Sequence, residues 1–197
     1  MPPKIITQVY IDCFSRLIDI PEWRDEIHHV RKTLGRPISE ITPDVFFQQY
    51  AYVVLCSYWK EQYARKEWEK YFQTGDFNAI SNRRKRAAIA QGLDHAAEWL
   101  EQLKKSKEPV EFLDTLPMIG EITKKHLARN LGIDCAKPDR HLIRLAAQSG
   151  YGSSNKVSEQ TKAVDRMCLD IHNEIGGSEK IGVIDVVLWR ACNLGWI

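Results

Sequence analysis

Two short segments carry the side chains best suited to chemistry. The first is Leu116-Pro117-Met118-Ile119-Gly120, followed by Ile122, Thr123, Lys124 and Lys125. Leu-Pro-x-x-Gly between two helical patterns makes a tight turn. Gly120 has no Cβ, so another molecule can approach its backbone closely. The helix that starts after it presents unpaired N–H groups that favour an anion. The Thr123 hydroxyl and the Lys124 and Lys125 charges strengthen that preference. A nucleic-acid phosphate is the natural ligand, and contacts of this kind position a protein without reading base sequence. An ordinary structural helix–turn–helix carries the same glycine. The second segment is Pro138-Asp139-Arg140-His141, soon after Gly132 stops the hairpin helix. Asp139 stands where another helix begins, so its carboxylate is a natural cap.

The elements that must hold these residues read as helices joined by short loops. The chain has 197 residues, a formal net charge of +2 and 44% hydrophobic residues, as expected of a soluble protein of one large domain or two small lobes. Residues 4–19 carry a helical stripe, Pro21 ends it, and Pro37 and Pro43 punctuate the next connection. Thr42 before Pro43 reads as an N-cap with proline in the first turn. The run "VFFQQYAYVVLC" is apolar nearly all round, so this helix is central. A second helix follows, with Ala64, Trp68, Tyr71 and Phe72 on one face, and Gly75 ends it. Ser81 or Asn82 caps "RRKRAAIAQGLDHAAEWLEQLKK". Glu111–Leu116 leads into the hairpin and Ile122–Leu131 leaves it. Helices follow over Ser158–Ile175 and about Val183–Asn193, the latter in spite of β-rich propensity. No alternating strand stands out. Cys13, Cys56, Cys135, Cys168 and Cys192 are scattered, with no Cys-x-x-Cys pair, which argues for reduced thiols in a cytoplasmic protein and against a zinc site. No secretory signal or membrane-spanning run is visible.

The hairpin and the downstream Asp together resemble the helix-hairpin-helix DNA glycosylase superfamily, which includes endonuclease III. "FFQQYAYVVLCSYWKEQYARKEW" resembles the helix pair that opens that family's helical barrel, and "RRKRAAIAQGLDHAAEWLEQL" the helix before the hairpin. The resemblance covers about residues 43–146. It implies an all-α, two-lobed fold with one lobe over 43–134 and the other formed by 1–42 with 135–197. It implies that Asp139 is the catalytic carboxylate at the mouth of a cleft between the lobes. There it would stabilise the oxocarbenium-like state of a breaking N-glycosidic bond and orient water. Pro117, Met118, Ile119, Gly120, Ile122, Thr123, Lys124 and Lys125 would bind the DNA backbone.

One departure bears on the chemistry. Family members that also cut the strand carry a lysine two residues after the hairpin glycine, and it forms a Schiff base with the sugar. Ile122 stands there. Lys124 and Lys125 are turned from it by roughly 200° and 300° around the helix, and Lys137 is a remote substitute. The expectation is a monofunctional enzyme that leaves an abasic site. The four closely spaced cysteines of the family's iron–sulfur branch are missing, so that cluster is not expected. The resemblance implies no cofactor and no catalytic metal, and admits a structural monovalent cation at the hairpin.

A base inside a duplex must be rotated out and its place filled. By resemblance the filling side chain falls in "CSYWK", which makes Tyr58 and then Trp59 the candidates for wedge or base pocket, with Ile80–Arg83 a weaker second wedge. Asp185 and Trp189, one turn apart on the last helix, are further pocket candidates. Arg83 and Arg84 in "NRRKR", and Arg140 and Arg144 beside Asp139, are candidate phosphate contacts. The expected partner of this monomer is double-stranded DNA with a damaged or modified base, with no membrane, in the cytoplasm and, in a bacterium, at the nucleoid. Three rivals stand beside this reading: a glycosylase that also cleaves the strand, a glycosylase acting on hypermodified phage bases in antiviral defence, and a helix-hairpin-helix module that binds DNA without chemistry.

Overall fold

Prolines set where several helices begin. In the computed structural model, which describes residues 3–197, Pro21, Pro43 and Pro109 each stand in the first turn of a helix. There the missing N–H costs nothing and the fixed φ suits the helix. Pro21 therefore opens a helix where the sequence reading has it only ending the previous one. The order is α1 (Pro3–Ile18), α2 (Pro21–Leu34), α3 (Pro43–Cys56), α4 (Glu61–Thr74), α5 (Arg83–Lys105), α6 (Pro109–Leu113), α7 (Glu121–Asn130), α8 (Arg140–Gln148), α9 (Val157–Glu174) and α10 (Ile181–Asn193). Single 3₁₀ turns lie at Ile38–Glu40 and Phe77–Ala79. The described residues are all-α, with no strand. No helix among them is long and apolar enough to cross a membrane.

The chain divides into two units, Pro37–Leu131 and Met1–Arg36 with Gly132–Ile197. The divisions fall slightly earlier in the chain than the expected 42/43 and 134/135.

The continuous unit is organised around α3, which packs on α4, α5 and α7. Phe46, Tyr50, Ala51, Val53, Val54 and Leu55 are all fully buried. The Thr42 hydroxyl accepts from the Val45 N–H at 3.3 Å, and Asn82 caps α5 by accepting from the Arg84 and Lys85 N–H groups. Tyr50 ties three elements together. Its hydroxyl donates to the Pro117 carbonyl in the hairpin turn at 2.8 Å, with the Ala88 carbonyl of α5 at 3.2 Å. Burial raises its pKa, so the hydroxyl keeps its proton and stays a donor. The ring crosses α5 at Gly92, where a Cβ would lie 2.3 Å from Tyr50 Cε1 and 2.6 Å from Cδ1.

The discontinuous unit is built on α10, which packs against α1, α2, α8 and α9. Val183, Ile184, Val187, Leu188 and Ala191 of α10 meet Ile6 and Leu17 of α1 and Val164, Met167 and Ile171 of α9 in one core. Arg190 makes a two-pronged ion pair with Glu26, at 3.0 and 2.7 Å, and its guanidinium lies 3.9 Å from the Trp23 ring centroid. Arg31 of α2 pairs with Glu179, ahead of α10.

Gly92→Ala should force a rigid, fully buried ring off its seat. Overpacking of this kind costs about 1–3 kcal/mol. Denaturant unfolding should show that loss, and the hairpin amides should exchange faster because Tyr50 can no longer hold the Pro117 carbonyl.

Candidate functional site

Asp139 is the N-cap of α8, as the sequence expects. Its Oδ1 accepts from the His141 N–H at 2.9 Å and the Leu142 N–H at 3.1 Å. Both bonds use the same oxygen. Oδ2 takes no hydrogen bond among the described residues, and the side chain is half-buried. One oxygen thus fixes the orientation of the group, and the other is not engaged by a hydrogen bond among these residues. Buried Cys192 lies within electrostatic reach of Asp139 and Arg144. Burial pushes its thiol pKa up, Arg144 opposes and Asp139 adds to the rise, so the group beside the carboxylate is a neutral thiol. Arg140 and Arg144 are exposed one turn apart on α8, opposite buried Leu142 and Leu145.

The loop that delivers Asp139 is laced to α10 by two carboxylates. Asp134 accepts from the N–H groups of Ile181 and Gly182, at 3.3 and 2.8 Å, and so caps α10. In return Asp185 of α10 accepts from the Lys137 N–H at 2.9 Å. Asp185 is 1% exposed. This corrects its assignment to a base pocket: the carboxylate is consumed inside its own unit, where it holds the backbone two residues ahead of Asp139. Trp189, one turn on, is half-buried against the core with the Arg190 guanidinium 4.7 Å from its ring centroid.

The hairpin comprises α6, the turn and α7. Ile119 is buried, Pro117 and Ile122 are half-buried, and Met118 is 37% exposed. The Gly120 N–H donates to Thr123 Oγ1 at 2.8 Å, and that hydroxyl donates to the Gly120 carbonyl at 3.2 Å. Thr123 therefore stabilises the turn instead of offering its hydroxyl to an anion. Lys124 is also corrected. It is 3% exposed, and its ammonium is paired with Glu111 at 2.7 Å, Glu121 at 2.8 Å and Asp114 at 3.7 Å. Burial lowers its pKa, but the hydrogen bonds it donates to Glu111 and Glu121 and the charges of Glu121 and Asp114 more than reverse this, so it is held well above the usual lysine range. Position 124 belongs to the same inward stripe as Leu127 and Ala128. Lys125 is half-buried.

Local backbone preference is inverted in this turn. Met118 has φ 62, a left-handed value that costs a residue with a side chain about 1 kcal/mol. Gly120 has an ordinary extended φ of −146, and a Cβ there would meet nothing within 4 Å. The fold itself does not require a glycine at 120.

A third group of residues lies at the α3–α4 turn. Tyr58 is 100% exposed and has φ 61. Trp59 is half-buried, edge-on to Tyr63 at 4.8 Å, with Lys85 Nζ 3.5 Å from its ring centroid. Arg83 and Arg84 are exposed at the start of α5. Lys85, Asp134 and Tyr50 are not among the candidates read from sequence. Among the described residues, no cluster of three or more His, Cys, Asp or Glu could hold a metal ion.

Asp185→Ala should deprive the part-buried Lys137 N–H of its carboxylate acceptor. A loss of about 1–3 kcal/mol is expected, with faster hydrogen exchange confined to residues 135–139 and the α10 start.

No family model matches the chain, and no curated protein matches it. Solved structures do. The 8-oxoguanine glycosylase/lyase of Methanocaldococcus jannaschii, in complex with a 15mer DNA containing 8-oxoguanine, superposes with a TM-score of 0.72 at 17% identity, over 94% of this chain and 97% of that one. The 8-oxoguanine DNA glycosylase of Thermotoga maritima gives 0.70 at 17% identity, over 92% and 94%. The chain shares the all-α fold of these two structures.

Proposed function

We propose that the protein is a monofunctional DNA N-glycosylase. It engages double-stranded DNA, extrudes a damaged or modified nucleotide and hydrolyses its N-glycosidic bond. The observation that carries this reading is the split duty of Asp139, with Oδ1 bound to the start of α8 and Oδ2 open. As the bond breaks, its electron pair leaves with the base and positive charge develops on the sugar. An oriented carboxylate stabilises that charge, accepts a proton from water and lets the water oxygen add to C1′, and the proton then passes through solvent to the departed base anion, which restores the carboxylate. The products are the free base and an abasic sugar in an unbroken strand.

The hairpin supports the DNA part of this reading. The first-turn N–H groups of α7 have no partner within their own helix, and Gly120 leaves room for a phosphate to approach them. Arg83, Arg84 and Arg140 supply exposed positive charge, while Lys124 does not. Tyr58 is the wedge. Ile122 at the position of the family's Schiff-base lysine supports hydrolysis by water over strand cleavage. The two similar structures bear the name of 8-oxoguanine glycosylases, which makes an oxidised purine the first substrate to examine.

The decisive experiment is a panel of duplexes containing 8-oxoguanine, alkylated, deaminated and mismatched bases, and hypermodified phage bases. Released base is identified by mass spectrometry. One or more duplexes should yield free base and a strand that breaks only in hot alkali, and borohydride should trap no protein–DNA adduct. Strands intact after alkali across the panel would leave only a binding module, and a trapped adduct would establish lyase chemistry. Asp139→Asn should slow base release at least about a hundredfold while changing duplex affinity by no more than about threefold. Arg84→Gln should weaken binding to all duplexes alike and reduce the salt slope by about one.

A further inference from the structure

Lys85 has no part in the chemistry above, yet its contacts converge on the turn that bears Tyr58. Its side chain is 2% exposed. The ammonium donates to the Leu55 carbonyl at 2.6 Å and the Ser57 carbonyl at 2.5 Å, and lies 3.5 Å from the Trp59 ring centroid. An ammonium has three N–H donors, and two carbonyls and one aromatic face use them all. These partners surround Tyr58 in sequence. The carbonyls belong to the end of α3, where a helix leaves acceptors unpaired. Lys85 thus does for this helix end what a glycine cap and water ordinarily do.

The need for that clamp is plain from Tyr58 itself. Its left-handed backbone disfavours any side chain, and its fully exposed ring packs on nothing. The fold gains no burial from a tyrosine here and carries its conformational cost. Strain of this kind persists only where neighbours over-determine it. Lys85 supplies that determination from α5. Glu67 of α4, also buried, adds a second tie by accepting from the Ser81 N–H at 2.8 Å just before α5. Burial lowers the Lys85 pKa to about 8, with neighbouring Cys56 and Glu67 opposing the drop.

We infer that Lys85 is a positioning residue that locks the α3–α4 turn so that Tyr58 is presented rigidly to a base stack. The inference rests on the glycosylase reading, because Tyr58 needs a stack to enter. It assigns to the third cation of Arg83-Arg84-Lys85 a task unlike that of its exposed neighbours: they face solvent, while it holds the wedge.

The test uses the full-length protein and a duplex with 2-aminopurine beside 8-oxoguanine, whose fluorescence rises when the stack opens. In Lys85→Met, amide exchange at residues 57–60 should quicken about tenfold or more with the hairpin amides unchanged. Melting temperature should fall only modestly, since two carbonyls at one helix end lose their donor while the apolar volume is kept. Duplex affinity should persist while the fluorescence rise falls as far as in Tyr58→Ala, and the double variant should fall no further, because the two residues act as one unit. If Lys85→Met lowers the melting temperature broadly, Trp59→Leu provides the same comparison by removing the aromatic face alone. Unchanged exchange at 57–60, an undiminished fluorescence rise, or additive losses in the double variant would each overturn the inference. A wild-type protein that binds the duplex without any rise would remove the base-opening reading itself, a result independent of residue 85.

Discussion

The 2.9 Å bond from the Lys137 N–H to the buried Asp185 carboxylate is the contact on which the position of Asp139 depends. A carboxylate that caps a helix through one oxygen must be held in place by the backbone that carries it. Here the holding is done one step back. Asp185 fixes the backbone, Asp134 ties the same loop to the start of α10, and the helix amides of α8 engage a single oxygen of Asp139. Three carboxylates in one neighbourhood thus have separate tasks, and two of them accept main-chain N–H groups so that the third can keep a lone oxygen. Preorganisation of this sort is what lets a fixed charge act on a developing one without reorienting.

The continuous unit solves a related problem with cations. Lys124 and Lys85 are both buried, and both are fully engaged: the first by three carboxylates within the hairpin, the second by carbonyls and a ring at the end of α3. Neither offers charge to solvent. The hairpin therefore has little net positive character, and what distinguishes it is backbone geometry, with Met118 bearing the left-handed conformation and Gly120 leaving open space. Tyr50 couples that turn to the core through a single donated proton.

Much of this was legible in the residues. Caps at Thr42 and Asn82, the apolar run of α3, the Leu-Pro-x-x-Gly turn and the helical end of the chain follow from local rules that tertiary packing did not override. Asp139 could be read as a cap from its position alone. Its place in a catalytic scheme came only from the likeness of a longer pattern, and the fold agrees with that likeness at 17% identity. One misreading and one omission share a cause. Lys124, read as a DNA contact, stands three residues before Leu127, and Lys85, which was not singled out, stands three before Ala88 and four before Ile89, so both lie on the buried stripe of their helices. Residue type suggested surface, whereas spacing pointed inward. Asp185 was misplaced for another reason: its partner, the Lys137 amide, is 48 residues away, and no local pattern records such a pairing. Pro21 was taken as a stop because a proline at a helix start and one after a helix end look alike when two helices abut.

The interruption of one unit by the other has a consequence for how the molecule is made. Residues 37–131 form a continuous unit, so on the ribosome that segment can complete its packing while the seat of Asp139 still lacks α10. Folding of the unit that holds the carboxylate must close across the whole intervening segment, which raises its loop-closure cost and slows it relative to local contacts. A nascent chain therefore completes the unit that carries the hairpin before the unit that seats Asp139.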